Sequence, residues 1–405
     1  MKKYLFILVV ICLFLFLHIA DSSLYYNGTI ALERDSSWSA NLTGLRHSSI
    51  VFGDIDNDND LDMILAGCSS GGVTTCTIAD KSRVYTNNRS GLVENVFWGQ
   101  NLSSIGYGSL SLGDIDKDGD LDLVALGDTG GGNGAVEIYT NNGSSFVRNH
   151  TWTNNISNVD AYAGSVVLGD IDNDGDLDLV LVGAYPSSDN GVYINNGTSM
   201  VKDSAWIELP YVGYGNGMGS LALGDIDNDG DLDLAFLGSF SGDFYRGIYL
   251  NNGTNFVENY TWLGDIVYYG WAWASLILGD YDNDGDLDLA IIGTGGGGGD
   301  KFFVFNNTNN NFSYNQRVSN FFDGSISWGD YDNDGDLDLA AMGKEEGKNT
   351  ISNNNDTYFQ FDDVARADLR ADDMQQGSLA WVDLDLDLDL DLAFGFVFGF
   401  PFDLQ

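Results

Sequence analysis

One stretch, residues 169–179, recurs along the chain and constrains what it can fold into. It reads G-D-I-D-N-D-G-D-L-D-L, with an Asp at every second position. Like charges this close together repel strongly unless a cation lies among them. The spacing D-x-D-x-D-G-x-x-D is typical of a calcium-binding loop, in which oxygens from positions 1, 3, 5, 7 and 9 converge on one hard ion and a glycine gives the sharp turn.

The pattern occurs seven times, and we number its positions from the first Asp. The Asp residues at positions 1, 3, 5, 7 and 9 of the first six loops are Asp54, Asp56, Asp58, Asp60 and Asp62; Asp114, Asp116, Asp118, Asp120 and Asp122; Asp170, Asp172, Asp174, Asp176 and Asp178; Asp225, Asp227, Asp229, Asp231 and Asp233; Asp280, Asp282, Asp284, Asp286 and Asp288; and Asp330, Asp332, Asp334, Asp336 and Asp338. In loop 1, Asn59 replaces the position-6 glycine, and Asn tolerates a left-handed backbone.

The seventh loop, residues 383–391, keeps its charges but changes its turn. Leu386 and Leu388 stand where Asn and Gly stand in most other loops. Leucine is strained in a left-handed conformation. This segment is therefore either a seventh metal loop or a flat strand.

The acidity of the chain is concentrated in these loops. Thirty-five of the 60 acidic residues lie in them, and the remaining 25 face 17 Lys and Arg, so most of the net charge of −43 belongs to the loops. Nothing in the sequence would neutralise phosphates, which excludes nucleic acid as a partner.

The N-terminus has the form of a secretory signal. Lys2 and Lys3 precede an apolar run over residues 4–17, and cleavage after Ala20 fits this pattern. An uncleaved membrane anchor is the alternative, because the run is near the lower length limit for a span. Either way we expect residues 21–405 to be exported. There Cys68 and Cys76 form either a disulfide or a pair of free thiols.

The loops recur every 50 to 60 residues, which suits the four-stranded blade of a β-propeller. In one unit the apolar runs 219–223, 232–237, 246–250 and 256–262 read as four strands, and the Asn-Gly turn at 252–253 predicts a hairpin. After the seventh loop the sequence has room for only one more strand, so the last unit lacks two of its four strands. Residues 24–30 and 34–38 match those two strands. We therefore predict an all-β, seven-bladed β-propeller of four-stranded antiparallel blades, with the last blade closed by the N-terminal strands in a single domain.

These repeats resemble the FG-GAP or VCBS class, the calcium-binding blades of the integrin α-subunit propeller and of microbial surface proteins. The resemblance covers nearly all of residues 21–405, although only one loop is directly preceded by Phe-Gly, at Phe52, where loops 2 to 6 have Leu-Gly or Trp-Gly, and no Gly-Ala-Pro follows. It implies Ca²⁺ between the first and second strands of each blade, all on one face. It also implies that Asp60 offers its backbone carbonyl to the ion. We therefore expect six Ca²⁺ ions, and leave undecided whether the seventh loop binds one.

The aromatic residues divide into two groups. Five tryptophans occupy equivalent places near the end of the outer strand, where blade packing explains them; they are Trp38, Trp98, Trp152, Trp206 and Trp262. A second group is expected on the face opposite the calcium loops; it comprises Tyr107, Tyr211, Tyr214, Trp271 and Trp273. Exposed aromatics suit sugar stacking or a protein contact, and filling of gaps between blades is the alternative.

The sequence offers no catalytic constellation, so an enzyme is not predicted. His47 and His150 have no Cys or Ser motif near them. Three functions remain in order of preference: a secreted or cell-surface propeller that binds a protein or glycan for adhesion or envelope assembly, a lectin, and a polysaccharide-active lyase or hydrolase. Membrane contact is expected only through the N-terminal segment. Asn-x-Ser/Thr sequons, several of them in the Asn-Gly turns, also allow glycosylation.

Overall fold

The computed structural model describes residues 45–395 except for 73–74, 80–81, 130–133, 157–159, 185–188, 208, 211, 213–218, 242, 269–270, 296–298, 320–323, 344–349, 355–357 and 362–376. Within these residues almost all regular structure is antiparallel strand. No helix in the described part of the chain is long and apolar enough to cross a membrane.

The strands form antiparallel sheets in which each strand follows its neighbour in sequence. Blade 1 contains β1 (Arg46–Gly53), β2 (Asp62–Gly72), β4 (Arg83–Asn87) and β5 (Leu92–Glu94), with β3 (Thr75–Ala79) as an extra strand on β2. Blade 2 contains β6 (Gly106–Gly113), β7 (Asp122–Asp128), β8 (Gly134–Asn141) and β9 (Phe146–Arg148). Blade 3 contains β10 (Asp160–Gly169), β11 (Asp178–Ala184), β12 (Gly191–Asn195) and β13 (Met200–Lys202).

The next three blades repeat this order. Blade 4 contains β14 (Ser220–Gly224), β15 (Asp233–Phe240), β16 (Asp243–Asn251) and β17 (Phe256–Glu258). Blade 5 contains β18 (Trp271–Gly279), β19 (Asp288–Gly295), β20 (Gly299–Asn307) and β21 (Phe312–Ser319). Blade 6 contains β22 (Ser325–Gly329), β23 (Asp338–Met342), β24 (Thr350–Asn354) and β25 (Phe359–Phe361). A hairpin of β26 (Ser378–Val382) and β27 (Asp391–Gly395) follows.

The prediction of a seven-bladed propeller is wrong, because the described residues form six such blades. The seventh Asp loop connects the two strands of the β26–β27 hairpin, which has no further strand within the described residues. Counting Asp loops overcounts blades because a loop needs only the two strands that it joins, whereas a blade needs four. Residues 24–38, expected to complete the last unit, lie outside the described residues.

The first strands of successive blades contact one another and so lie nearest the axis of the ring. β1 contacts β6, β6 contacts β10, and the series continues through β14 and β18 to β22. The hairpin fills the gap between the last and first blades, since β26 contacts both β22 and β1. The ring is therefore closed through the hairpin.

The core consists of apolar clusters between neighbouring blades. Short helices after the outer strands, α1 (Val96–Gly99) and α2 (His150–Thr153), and a 3₁₀ helix at Gly264–Tyr268 carry the chain to the next blade. Trp98 of α1 is buried and meets Phe146 of blade 2 edge-on at 5.4 Å between ring centres. Trp206 and Phe256 repeat this contact at 5.2 Å. The prediction that these tryptophans pack blades together is confirmed for the four described ones, all at most 5% exposed.

A glycine at the end of each first strand allows the blades to approach closely. A Cβ built on Gly224 would lie 2.7 Å from Leu287 Cδ1 of the next blade, nearer than real Cβ atoms come. The equivalent glycines of the other five blades meet a leucine or tryptophan of their neighbour at 2.5 to 2.8 Å. These glycines therefore set the spacing between blades, and the hairpin has Val382 in their place.

Candidate metal centres

Each Asp loop joins the first strand of a blade to the second and has the same backbone. Positions 4 and 6 are both left-handed: in loop 3, for example, Asn173 has φ of 60° and Gly175 has φ of 91°. Asn59 adopts φ of 68° at position 6 of loop 1, in keeping with the tolerance of Asn for this conformation. The loops therefore curl in the way that the calcium pattern requires.

Backbone amides hold the curl by donating to the Asp side chains within it. In loop 4, Asp225 at position 1 accepts hydrogen bonds from the N–H groups of Asp229 and Gly230, both at 2.9 Å. The position-5 carboxylate then accepts from the N–H of position 7, as Asp229 does from Asp231 at 3.0 Å. The same bonds recur in loops 5 and 6. The loop is thus shaped by its own peptide groups and aims several carboxylates inward.

The inward carboxylate oxygens fit a metal ion. Oxygens from positions 1, 3 and either 5 or 9 lie within 4.8 Å of one another in each loop of the first five. In each of loops 2 to 6 one carboxylate oxygen at position 1 or 3 is buried with no hydrogen-bond partner; these atoms are Oδ1 of Asp114, Asp170, Asp227, Asp282 and Asp332. A buried polar atom without a partner is costly, and carboxylate oxygens are the ligands that Ca²⁺ prefers. The residues present therefore suit a hard divalent cation.

The Asp at position 9 is the most buried member of each loop. Asp178 is fully buried, and its two oxygens accept from the N–H groups of Ile171 at 2.9 Å and Asn195 at 2.7 Å. Burial raises the pKa of this carboxyl to about 7, although both hydrogen bonds act to lower it. The equivalent pKa is raised to about 6 in loop 1 and to about 8 in loops 5 and 6, again chiefly by burial. A cation beside these groups would favour their charged form.

An asparagine at the end of each third strand links its blade to the blade before. Asn195 donates from Nδ2 to the carbonyl of Ile115 in loop 2 at 2.9 Å and to the carbonyl of Leu177 in its own blade at 3.2 Å. We call this arrangement the asparagine clamp. It recurs at Asn87, Asn141, Asn251, Asn307 and Asn354. The Asn87 clamp reaches the carbonyl of Leu384 at 2.7 Å and so fastens the hairpin to blade 1.

We did not predict the asparagine clamp, although the sequence carries a signal for it. In blades 2 to 4 the clamp residue is the first Asn of an Asn-Asn-Gly turn, which we interpreted only as a hairpin signal. Its recurrence 16 to 25 residues after the position-9 Asp is the feature that could have revealed it. The second Asn of those turns is exposed, as in Asn196, and is also the sequon residue.

Neighbouring loops are also joined directly. The position-4 side chain of one loop donates to the position-7 carboxylate of the next, for example from Asn173 Nδ2 to Asp231 Oδ1 at 2.7 Å. Asn57, Asn228 and Asn283 make the same bond at 2.6 to 2.7 Å. Loop 2 has Lys117 at this position, and its ammonium group pairs with Asp176. We call these contacts the loop-to-loop bonds.

The seventh loop keeps the loop backbone rather than forming a flat strand. Leu386 and Leu388 take φ of 63° and 75°, and Leu388 is 82% exposed. Asp383 accepts from the N–H groups of Asp387 and Leu388, each at 3.2 Å, as in the other loops. These amide-to-carboxylate hydrogen bonds thus hold the loop conformation at residues that are strained in it.

The expected ligand aromatics are not brought together within the described residues. Tyr107 is only 1% exposed and lies in a β-bulge of β6, so the expectation that it is exposed is wrong, and its burial fits the alternative that it fills a gap between blades. Tyr211 and Tyr214 lie outside the described residues. Trp271 and Trp273 lie on β18, the innermost strand of blade 5, rather than in a linker, and their side chains lie outside the described residues.

Cys68 is buried and disulfide-bonded. The expected partner, Cys76, lies on β3, which pairs with β2, and its side chain is outside the described residues.

The chain carries FG-GAP-like repeats, which match the family model over residues 114–181 and 280–341. These segments contain loops 2, 3, 5 and 6, so the repeat class expected from the sequence is confirmed there. No curated protein matches the chain in sequence.

Among solved structures, the chain is similar to a lectin of Agrocybe aegerita described as recognising non-reducing terminal N-acetylglucosamine. The TM-score is 0.52 at 18% identity, covering 83% of this chain and 84% of the lectin chain. It is also similar to an exotype rhamnogalacturonan lyase, YesX, with a TM-score of 0.36 at 12% identity over 73% of this chain and 59% of the lyase. An α-L-arabinofuranosidase of Clostridium thermocellum has a TM-score of 0.26 at 11% identity, covering 67% of this chain and 92% of the arabinofuranosidase chain. Of these three structures the lectin has a TM-score above 0.5, and its similarity to the chain supports the propeller fold.

Proposed function

We propose that this chain is an exported propeller that is stabilised by Ca²⁺ in its Asp loops and binds a macromolecular partner. The observation that carries the metal part is the set of buried carboxylate oxygens without hydrogen-bond partners at the centres of loops 2 to 6. Bound Ca²⁺ would supply the positive charge that these oxygens need. The chain supplies the curl, through the left-handed residues and the amides that donate to positions 1 and 5.

The position of the loops indicates that the metal acts on stability. Position 9 receives the N–H of the clamp asparagine, and that asparagine donates to the preceding blade. An ion that holds position 9 in its charged form therefore supports the strand pairing of one blade and its contact with the next. Extracellular calcium modules bind at about 10⁻⁴ to 10⁻³ M, which suits an exported protein.

Binding is favoured over catalysis because the buried acids of the described residues are engaged in structure. Glu137, only 3% exposed, pairs with Arg148 at 2.9 Å and accepts from the Tyr139 hydroxyl. The loop carboxylates accept backbone amides or face the metal centre.

Metal content tests the first part of the proposal. Asp227→Asn changes an unpartnered carboxylate of loop 4 and should reduce the bound Ca²⁺ by one equivalent. Asp243→Asn changes an exposed acid outside the loops and should leave the Ca²⁺ content unchanged. Elemental analysis after dialysis at about 1 mM free Ca²⁺, within the range of extracellular sites, gives the counts. Equal counts in the two variants, or no bound Ca²⁺ in either, would refute the metal assignment.

A glycan is the second candidate partner, favoured by the fold similarity to the N-acetylglucosamine lectin. A glycan array probed with Ca²⁺ and with chelator tests it, and calcium-dependent binding of a defined sugar is the expected result. Trp271→Ala and Trp273→Ala should weaken that binding, whereas Tyr260→Ala, at an exposed residue following blade 4, should not. A pull-down from envelope extract with and without Ca²⁺ tests a protein partner in the same way, and failure of both assays would refute the binding role.

A further inference from the structure

The loop-to-loop bonds are not chemically equivalent around the ring. In loops 2, 4, 5 and 6 the position-7 carboxylate accepts from a neutral Asn amide of the preceding loop. In loops 1 and 3 the same carboxylate is bonded to a cation. The two groups of loops therefore carry different net charge around otherwise similar centres.

In loop 1 the cation is Arg89. Its Nε lies 2.8 and 2.9 Å from the two oxygens of Asp60, which is 2% exposed. The preceding loop in the ring has Leu386 at position 4, which offers no hydrogen-bond donor. Arg89 takes φ of 61° in a turn where blades 2 to 4 have a glycine, as at Gly143. A side chain at this turn points at the position-7 carboxylate, since a Cβ on Gly143 would lie 3.8 Å from Asp120 Oδ2.

In loop 3 the cation is Lys117, at position 4 of loop 2. Its ammonium group pairs with Asp176 and lies over the turn of loop 3, 3.6 Å from where a Cβ on Gly175 would stand. Four described Asn residues make the same loop-to-loop bond, which shows that a neutral donor can form this contact. Lys117 therefore adds a charge and no new contact.

We propose that Arg89 and Lys117 divide the first six calcium loops into two affinity classes, with loops 1 and 3 the weaker. This inference rests on the proposed calcium binding. In calcium loops of this kind position 7 offers its backbone carbonyl to the ion, so a cation on its side chain leaves the coordination possible. The cation opposes the ion through charge alone, and the number of ligand charges sets calcium affinity.

The size of the effect follows from the charges. A unit positive charge roughly 6 Å from a divalent ion in water weakens its binding about tenfold at low ionic strength. Salt at about 0.15 M reduces this to about threefold, because the Debye length is then about 8 Å. The difference between the classes should accordingly shrink as salt is added.

Two single substitutions in the full chain give opposite expectations. Lys117→Asn introduces the residue type with which Asn57 and Asn173 form the loop-to-loop bond. This variant should increase the affinity for one equivalent of Ca²⁺ about tenfold at low salt. Asn173→Lys places the same charge on Asp231 of loop 4 and should weaken one equivalent by the same factor. The measurement is a calorimetric titration with CaCl₂ in 10 mM and 500 mM NaCl, with thermal unfolding confirming that each variant is folded.

Loop 1 needs a paired change, because removal of Arg89 alone leaves buried Asp60 without its donor. Arg89→Gly together with Leu386→Asn restores the pattern of the other blades and should also strengthen one equivalent. If Lys117→Asn and Asn173→Lys both leave the Ca²⁺ affinities unchanged, the inference of two affinity classes is wrong even though the chain binds calcium. Failure of all variants and the wild type to bind Ca²⁺ would instead refute the proposed metal function.

Discussion

Asn195→Ala removes one asparagine clamp and provides a direct test of what holds the blades together. The Asn195 side chain donates to the carbonyls of Ile115 at 2.9 Å and Leu177 at 3.2 Å, and it accepts from the N–H of Gly197 at 2.8 Å. The residue is 1% exposed. Truncation therefore leaves three backbone groups without their partner, one in a buried contact and two in partly buried ones.

The expected loss of unfolding free energy is about 3 to 4 kcal/mol. Each hydrogen bond contributes about 1 kcal/mol net, and a buried group left without a partner costs somewhat more. Urea unfolding at saturating Ca²⁺ gives the value. Its neighbour provides the control: Asn196 is exposed and bonds only within its own turn, to the N–H groups of Thr198 and Ser199 at 3.1 and 3.0 Å. Asn196→Ala should cost about 1 kcal/mol or less.

Asn195→Asp separates hydrogen bonding from packing, because it keeps the volume of the side chain. The carboxylate cannot donate to the two carbonyls, so this variant should be at least as destabilised as Asn195→Ala. A loss for Asn195→Ala no greater than for Asn196→Ala, or full stability of Asn195→Asp, would refute the clamp as a stabilising contact.

Three further predictions concern the loops and the spacing of blades. Gly224→Ala places a Cβ 2.7 Å from Leu287 Cδ1 and should lower the free energy of unfolding in urea by about 1 to 3 kcal/mol. Combining it with Leu287→Ala should recover part of that free energy. An unchanged free energy of unfolding in the single variant would contradict the close-packing role of Gly224. Leu388→Gly relieves a left-handed leucine that is 82% exposed and should raise the unfolding free energy by about 1 kcal/mol, so a lower midpoint would argue against strain there. Burial raises the folded pKa of the position-9 carboxyls to between about 6 and about 8, above the value of 3.8 expected without burial. A carboxyl with a raised folded pKa stabilises the fold below its unfolded pKa and loses this effect as pH rises through the folded pKa. Metal-free protein should therefore melt at progressively lower temperature from pH 4 to pH 8, and Ca²⁺ should raise the melting temperature most at pH 8; a metal-free melting temperature that rises over this range would contradict the assignment.

The strand pattern of a single blade could be predicted because it depends on local periodicity. The apolar runs 219–223, 232–237, 246–250 and 256–262 correspond to β14, β15, β16 and the start of the blade 4 outer strand at Phe256. The last run was predicted too long, since β17 ends at Glu258. The number of blades depends instead on which strands pair at the ends of the chain, and local periodicity carries no information about that pairing.

The clusters of loop carboxylates could be predicted for the same reason, since all their side chains lie within nine consecutive positions. Contacts between blades could not. The asparagine clamp joins Asn195 to Ile115, 80 residues away. The burial of Tyr107 follows from a bulge between Gly106 and Ser109, where the register of β6 on β7 shifts. A one-residue irregularity of this kind turns a side chain from surface to interior.

The direction of the asparagine clamp has a consequence for the evolution of such chains. Every clamp points the same way, from one blade to the blade before it, and the last one joins blade 1 to the hairpin. This is the geometry of head-to-tail contacts between identical subunits, in which the rotation from each unit to the next decides whether the assembly closes. A duplicated or deleted repeat would leave the clamp pattern from blade to blade intact and change the angle left over at the seam. The two-stranded β26–β27 hairpin occupies that seam, so the seam is the place where copies of the repeat can be gained or lost with the fewest compensating changes.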